Sequence, residues 1–506
     1  MSEESVGDRQ TMEGAGRHVS SRRLAIGAAA SGAVNVFKVG IQLLLLPVMA
    51  RLLGPEEFGI YALALPTVSF VALLADGGLG STLAREPETS SKVWSSAFWL
   101  LLIMGCALAL GASAFGVVLS YLVNQPRLAL MIAILSLSIV FLALSVPAGA
   151  RLMRRRSLGT GAVAELTASI VGAVLAVVLA MKGAGAWSLV FQFLAIYGVR
   201  AIILNLAAFE RPGLEFALSA IRPHMASGGL LVAARLVEYL GRVGENVLLE
   251  RIFGTAVLGR FTFANQVSRF AAETAGNVVW ATLYVQAVTS DRASIVEIHR
   301  RLCRLLAVAL FPFTMLAVAA APELVAWLLG PEWTELAFIL RVFLPVSALS
   351  IIAVQVGPVL LAIDRFEIHF WCSVALSVGR VLVMIAAFWT GLAGAVYGLA
   401  AVVLLHFFGL LFFAQAATGC RISPILRGIA GPAISSGLGA VVCLLALQLF
   451  TPGALWTIAS MLIGLLAFVA CQLVIDRQEL REDLVVAKRI LTRRGQVSMP
   501  SAQADT

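Results

Sequence analysis

The sequence predicts an all-α polytopic membrane protein of about fourteen transmembrane helices, and three observations support this fold class. Sixty per cent of the 506 residues are apolar and 13% are charged, with a mean hydropathy of +0.94, far above the range of soluble chains. The apolar residues fall into runs of about 20 or more, the length that crosses a bilayer core. Two stretches 200 residues apart also match one another, which indicates an internal repeat.

Fourteen apolar runs are long enough to cross a bilayer, and each is expected to be a helix because backbone groups in lipid must be hydrogen-bonded internally. The first twenty residues are polar, so we expect no cleaved signal peptide. In chain order, spans 1 to 14 are 24–50, 57–83, 94–122, 128–150, 158–181, 186–208, 225–249, 257–285, 304–329, 336–363, 368–390, 393–417, 427–450 and 455–475.

The net charge of +9 is distributed asymmetrically between the two sides of this topology. With a cytoplasmic N-terminus, 25 Lys and Arg residues fall in cytoplasmic segments and four on the other side, namely Arg51, Arg127, Lys182 and Arg251. The positive-inside rule then places both termini in the cytoplasm. Basic clusters such as 151–157 are interpreted as contacts with anionic lipid headgroups, and no nucleic acid is expected as a partner.

Two matching stretches define the repeat: "RLLGPEEFGIYALA" at 51–64 and "RIFGTAVLGRFTFA" at 251–264. Each joins one span to the next, and six spans separate them, so orientation is preserved and spans 1–6 and 7–12 are predicted to be parallel repeats. Each matched glycine is expected to permit a tight turn. The predicted domains are a tail (1–23), an N-lobe (24–208), a C-lobe (225–417), spans 13 and 14 (427–475) and a basic tail (476–506).

Polar residues at helical spacing run along single faces of spans 1, 7 and 8. A charged side chain near a helix centre costs about 2.5–3.5 kcal/mol on insertion, so these faces are predicted to line an interior cavity and bind substrate. The alternative is a set of structural ion pairs, Arg235 with Glu238 and Arg269 with Glu273. The candidate residues are Asn35, Lys38, Gln42, Arg235, Glu238, Arg242, Glu245, Asn265, Arg269 and Glu273.

Signatures of enzymes and metal sites do not occur in the sequence. The five histidines are far apart, there is no HExxH, CxxC or phosphate-binding motif, and the connections between spans are too short for a catalytic domain. The six cysteines lie in or beside spans without metal-binding spacing, which is typical of packing thiols. We therefore expect no cofactor, no metal and no enzymatic activity.

Four motifs resemble those of a known family: "RLLGPEEFGIYALA" at 51–64, "DGGLG" at 76–80, "RIFGTAVLGRFTFA" at 251–264 and "LLGPEWTELAFILRVF" at 328–343. The chain resembles the polysaccharide transporters (Wzx-type oligosaccharide flippases) of the multidrug/oligosaccharidyl-lipid/polysaccharide (MOP) exporter superfamily. The resemblance implies two six-helix lobes in a V, as in multidrug-and-toxin extrusion (MATE) antiporters, with two further helices outside. It also implies transport of undecaprenyl-pyrophosphate-linked oligosaccharides across the bacterial inner membrane, for exopolysaccharide, capsule or O-antigen of lipopolysaccharide.

The resemblance further implies lipid-linked oligosaccharide, membrane lipids and polysaccharide polymerase or export machinery as partners. Arginines suit a pyrophosphate because the guanidinium stays charged and offers paired donors. A MATE-type cation antiporter is an alternative, although basic stripes would repel a cation. A membrane glycan polymerase or ligase is a third, although such an enzyme would need a long external loop.

Overall fold

The computed structural model describes residues 40–69, 91–155, 157–208, 229–268, 292–363, 365–418, 423–449 and 453–475, with positions 34, 37, 38, 83, 213, 215–217 and 283. Every regular element within these ranges is helical. Nine of the described helices are long and apolar enough to cross a membrane. This agrees with the predicted all-α polytopic class.

In the first half, the helices follow the predicted spans closely. Residues 40–69 are helical on both sides of Gly54, and together they form the described parts of spans 1 and 2. Spans 3 to 6 are the helices Ser91–Leu122, Pro126–Arg154, Leu158–Met181 and Trp187–Ala208.

The second half repeats this order with more interruptions. Span 7 is the helix Gly229–Phe253 and the described part of span 8 is 255–268. Spans 11 and 12 are one helix, Phe366–Thr418, broken at Gly391 with φ 71°. The remaining helices are Arg292–Ala319 and Ala321–Leu328 in span 9, the 3-10 turn Pro331–Trp333, Leu336–Val354 and Val356–Ala362 in span 10, Ser423–Leu449 in span 13 and Ala454–Ile475 in span 14.

Span 9 starts earlier than its apolar run predicts, at Arg292 rather than at residue 304. The added turns carry Glu297, whose carboxylate accepts hydrogen bonds from Arg300 at 2.9 Å and Arg301 at 2.6 Å. Such pairs three and four residues apart support a helix outside the apolar region. Hydropathy alone therefore misses this extension.

Gly54 and Gly254 lie at equivalent turns of the two repeats, with φ 72° and 85°. Glycine adopts this left-handed backbone without the strain that a Cβ would cause. The expectation of a glycine-dependent turn is confirmed at these two positions. We call the end of the helix bundle that carries both residues the glycine end.

Packing groups the helices by their order in the chain. Spans 3 to 6 pack together, as do spans 7 and 9 to 12, while spans 13 and 14 pack against each other and against span 9. The apolar core at the glycine end contains residues of both halves, including Phe58, Leu128, Phe261 and Leu336. The exact boundaries of the two lobes stay a prediction.

The connection between spans 6 and 7 is attached to span 3 at the opposite end of the molecule. Trp99 Nε1 donates to the carbonyl of Gly213 at 2.8 Å. The backbone N–H groups of Gly213 and Ala217 donate to the hydroxyls of Ser95 and Ser96 at 2.9 and 2.8 Å. The described part of this connection is therefore held on the N-terminal half.

Candidate functional site between the two repeats

The two repeats touch at Gly59 and Gly259, the second pair of matched glycines. A Cβ on Gly59 would overlap the backbone carbonyl of Thr255, and a Cβ on Gly259 would overlap that of Pro55. The contact is reciprocal, as expected for two repeats related by a two-fold axis. The expectation that these glycines serve a turn is wrong, because both lie inside helices; they allow two backbones to approach.

Polar contacts across the glycine end reinforce this approach. Asn246 Nδ2 of span 7 donates to the carbonyl of Ala62 in span 2 at 3.0 Å. Gln125 Nε2 lies 3.4 Å from the Thr255 hydroxyl oxygen. Both contacts connect the N-terminal half to the C-terminal half, so they would have to break if the halves parted here.

Three aromatic rings fill the space beside the glycines. The ring centroid of Phe58 lies 5.9 Å from that of Phe263 and 6.0 Å from that of Trp333, and those two lie 5.2 Å apart. All three side chains are buried. The glycine end is therefore closed by direct packing of the two halves.

A second group of contacts lies along spans 1, 5 and 6, where Glu165 binds two basic residues. Lys38 Nζ lies 2.6 Å from Glu165 Oε2, and Arg200 Nη1 lies 3.1 Å from Oε1. The three side chains are 28, 29 and 35% exposed. One carboxylate thus neutralises only one of two cations, and the triad carries a formal charge of +1.

In the C-terminal half, two neutral ion pairs lie along span 7. Arg242 Nη2 lies 2.6 Å from Glu238 Oε1, one helical turn away. Arg380 Nη1 of span 11 lies 3.6 Å from Glu245 Oε2, and the Glu245 side chain is only 6% exposed. Each pair is formally neutral.

Two tyrosines lie near the charged groups, Tyr197 in the N-terminal half and Tyr239 in the C-terminal half. Tyr197 of span 6 is close enough to interact electrostatically with Arg200, Glu165 and also Tyr239 of span 7. The Arg242 guanidinium lies 5.8 Å from the centre of the Tyr239 ring. We call the following residues the interlobe polar cluster: Lys38, Glu165, Tyr197, Arg200, Glu238, Tyr239, Arg242, Glu245 and Arg380.

Four predicted site residues belong to this cluster: Lys38, Glu238, Arg242 and Glu245. Gln42 instead has an exposed side chain, and Asn265 is half-buried in span 8. The Arg235 side chain and the residues Asn35, Arg269 and Glu273 lie outside what the structure describes. The alternative pairs Arg235–Glu238 and Arg269–Glu273 involve these side chains and stay predictions, while Glu238 does pair with Arg242.

The candidate residues predicted from the sequence did not include Glu165, Arg200 or Arg380. The signal was available, because a single charge within an apolar span is itself an indication of an interior site. Neither span 5 nor span 6 carries a polar stripe, so helical spacing of polar residues does not reveal Glu165 or Arg200. Among the described residues, no group of three or more His, Cys, Asp or Glu side chains could hold a metal ion.

A family described as polysaccharide biosynthesis protein matches residues 48–338, which is more than half of the chain. The chain belongs to this family. The matched region contains both glycine turns and all of the cluster except Lys38 and Arg380.

Two relatives carry more specific names. The chain is 28% identical over 245 residues to the succinoglycan biosynthesis transport protein ExoT of Rhizobium meliloti (strain 1021), a match covering 48% of this chain and 50% of that protein. It is 23% identical to the lipopolysaccharide biosynthesis protein WzxC of Escherichia coli (strain K12), over 68% of this chain and 71% of that protein. The match thus spans half the length of the first relative and about seven tenths of the second.

Two solved structures share the fold. The lipid II flippase MurJ, in an inward closed conformation, superposes with a TM-score of 0.72 at 14% identity, covering 90% of this chain and 99% of that one. An inward-facing multidrug resistance MATE family transporter of the MOP superfamily superposes with a TM-score of 0.61 at 14% identity, covering 75% of this chain and 94% of that one. The predicted MOP-type fold is confirmed, and at this identity the likeness extends to the fold alone.

Proposed function

We propose that this protein moves lipid-linked oligosaccharide repeat units across the bacterial inner membrane for the assembly of a surface polysaccharide. The observation that carries this proposal is the surplus of positive charge in the interlobe polar cluster, where Lys38 and Arg200 share Glu165. The relatives named for succinoglycan transport and for lipopolysaccharide biosynthesis support the same conclusion. On this proposal the protein is a transporter and forms no covalent bond to its substrate.

The cluster suits an anionic headgroup because its four basic residues exceed its three acidic ones. A pyrophosphate would approach Lys38 and Arg200 and compete with Glu165 for their donors, while the prenyl chain stays in lipid. Charge-assisted hydrogen bonds to phosphate oxygens are about twice as strong as neutral ones. The other predicted residues of spans 1, 7 and 8, including Asn35, Arg235 and Arg269, remain proposed substrate contacts.

The charge balance also discriminates between this function and the alternatives. A MATE-type antiporter that exports cations would gain nothing from an interior with surplus positive charge. A glycan polymerase or ligase would need a catalytic domain, for which the connections between spans have no room. Transport of an anionic lipid-linked substrate therefore fits the described residues best.

The proposed orientation places the glycine end outside and both termini in the cytoplasm. The support is the basic asymmetry of 25 residues to four in the sequence. Parting of Gly59 from Gly259 would then open the cluster to the outside, and closure of this end would return access to the cytoplasm. Polymerase or export machinery would receive the repeat unit on the outer side.

A complementation experiment tests the function. In a strain lacking this gene, lipid-linked repeat units should accumulate and surface polysaccharide should disappear, and the full-length chain should restore both. Lys38→Gln and Arg200→Gln should lower export at least tenfold at wild-type protein levels. Arg341→Gln removes an exposed basic residue outside the cluster and should export normally. Restored drug resistance without restored polysaccharide would contradict the proposal and favour the antiporter.

A further inference from the structure

Glu250 lies at the glycine end, in the last turn of the span 7 helix. Asn246, one turn earlier on the same helical face, donates to the Ala62 carbonyl in the other half. The preceding residue, Leu249, belongs to the apolar core that contains residues of both halves. Glu250 itself is only 8% exposed. Glu250 is therefore buried beside the contact between the halves.

One oxygen of the Glu250 carboxyl group, Oε2, is buried without a hydrogen-bond donor among the described residues to stabilise its charge. Arg251, next in the chain, is the charged group that acts on it, and the Arg251 side chain is exposed. No role in substrate binding or in the glycine contact has been assigned to this carboxyl.

Most charged residues on the elements packed around the glycine end bind other groups or are exposed to solvent. From the span 2 side, Glu57 pairs with Arg127 at 3.6 Å. From the span 8 side, Arg260 pairs with Glu335. Arg51 Nη1 lies 3.5 Å from the backbone carbonyl of Trp327, and the backbone carbonyl of Glu332 accepts from Arg260 at 3.1 Å. Of the remaining charged side chains of this end, Glu56, Lys182 and that of Glu332 are exposed, whereas Glu323 is half-buried and its Oε2 atom has no hydrogen-bond partner among the described residues.

Burying an ionised carboxylate without a partner is costly, and in proteins such a group takes up a proton instead. Burial without a partner for Oε2 therefore favours the neutral acid of Glu250 in this closed arrangement. If the halves part, water reaches the carboxyl and the cost of ionising it falls. The closed form thus binds the proton more tightly than the open form, so closure is favoured at low pH and weakens as the pH rises.

We propose that Glu250 is a pH-sensitive switch that controls the contact between Gly59 and Gly259. The neutral acid stabilises the closed glycine end, and the ionised carboxylate favours its opening. The relevant pH is that of the compartment facing the glycine end, because opening exposes Glu250 to water from that side.

Distance measurements by electron spin resonance test the switch without any substrate. The full-length protein, with its six native cysteines replaced, carries spin labels at Lys182→Cys and Thr334→Cys, two exposed positions in different halves of the glycine end. Between pH 5 and pH 8 in lipid nanodiscs, the longer-distance population should rise at least threefold. Glu250→Gln should keep the short distance at both pH values. Glu56→Gln, which neutralises an exposed carboxylate of the same end, should respond as the parent does.

Two results would overturn the proposal. One is a pH response in Glu250→Gln equal to that of the parent. The other is a parent without pH response although a Gly59→Leu variant shows the longer distance, which proves that the labels report opening. Should Glu250→Gln fail to fold, Glu250→Asp gives the second test: its shorter side chain should move the midpoint of the response, and an unmoved midpoint contradicts the proposal. None of these results depends on whether the protein transports a glycan.

Discussion

The two halves of the molecule place ion pairs between corresponding helices but reverse their sign. In the N-terminal half, the basic Lys38 of span 1 pairs with the acidic Glu165 of span 5. In the C-terminal half, the acidic Glu245 of span 7 pairs with the basic Arg380 of span 11. Spans 1 and 7 correspond in the repeat, as do spans 5 and 11. Corresponding helices thus pair in both halves, but the helix that supplies the acidic residue differs.

The same reversal occurs at the glycine end. Glu57 of span 2 pairs with Arg127, which follows span 3, whereas Arg260 of span 8 pairs with Glu335, which follows span 9. In each pair one side chain is partly shielded from water and gains from an opposite partner, but either helix can supply either sign. In both repeats, charged side chains are therefore paired with opposite charges and a glycine forms the turn. The repeats differ in Arg200, the additional cation bound to Glu165.

The largest expected effect comes from the glycines that both halves share. Gly59→Leu and Gly259→Leu should each abolish export, because even a Cβ overlaps the opposing backbone and the glycine end could not close. Gly111→Leu is the control, since its Cβ would meet nothing within 4 Å. Surface polysaccharide at matched protein levels provides the readout. Normal export by either variant would show that the halves need not approach this closely.

A double-mutant cycle sharpens the difference in charge balance. Glu245→Gln and Arg380→Gln should each destabilise the protein, and the double variant should recover about 1–3 kcal/mol of that loss because no charge remains unpaired. Lys38→Gln with Glu165→Gln should recover less, since Arg200 loses its partner. Thermal unfolding in detergent measures both cycles. Equal recovery in the two halves would mean that Arg200 has another counter-charge besides Glu165.

Arg242 distinguishes structural pairing from substrate binding within the C-terminal half. If it contacts substrate, Arg242→Ala should reach near wild-type levels in the membrane yet fail to export, and Arg242→Lys should retain part of the activity. If its main role is to neutralise Glu238, the Ala variant should instead disappear from the membrane. Immunoblots of membranes beside an export assay separate these outcomes.

The smallest effects are expected in the exposed pairs of the glycine end. The Glu335 side chain is 57% exposed, so Glu335→Gln should cost about 1 kcal/mol or less. Glu57→Gln should cost more, because the Glu57 carboxylate also accepts the backbone N–H of Ala186 at 2.6 Å near the start of span 6. Thermal unfolding of the two variants provides the comparison, and a larger loss for Glu335→Gln would contradict it.

Hydropathy and spacing predicted the described spans, the turns at Gly54 and Gly254 and four members of the cluster, because these features depend on residues close together in the chain. They could not predict that Gly59 would meet Thr255 or that Lys38 would meet Glu165, since those contacts join residues more than a hundred positions apart. The offset of 200 between the repeats places Lys38 and Glu238 at equivalent positions. Lys38 nevertheless pairs with Glu165 of another helix, whereas Glu238 pairs with Arg242 of its own helix. A sequence repeat gives equivalent positions and leaves the partners to tertiary packing.

Reversible cross-linking across the glycine end tests most directly whether transport requires the halves to part. Ala62→Cys and Asn246→Cys replace two residues joined by a hydrogen bond across the contact, in a chain whose native cysteines are replaced. In proteoliposomes with a lipid-linked oligosaccharide, oxidation should stop movement of the headgroup between leaflets, and reduction should restore it. Each single-cysteine variant should be indifferent to both treatments. Movement at the original rate in fully cross-linked protein would contradict the account.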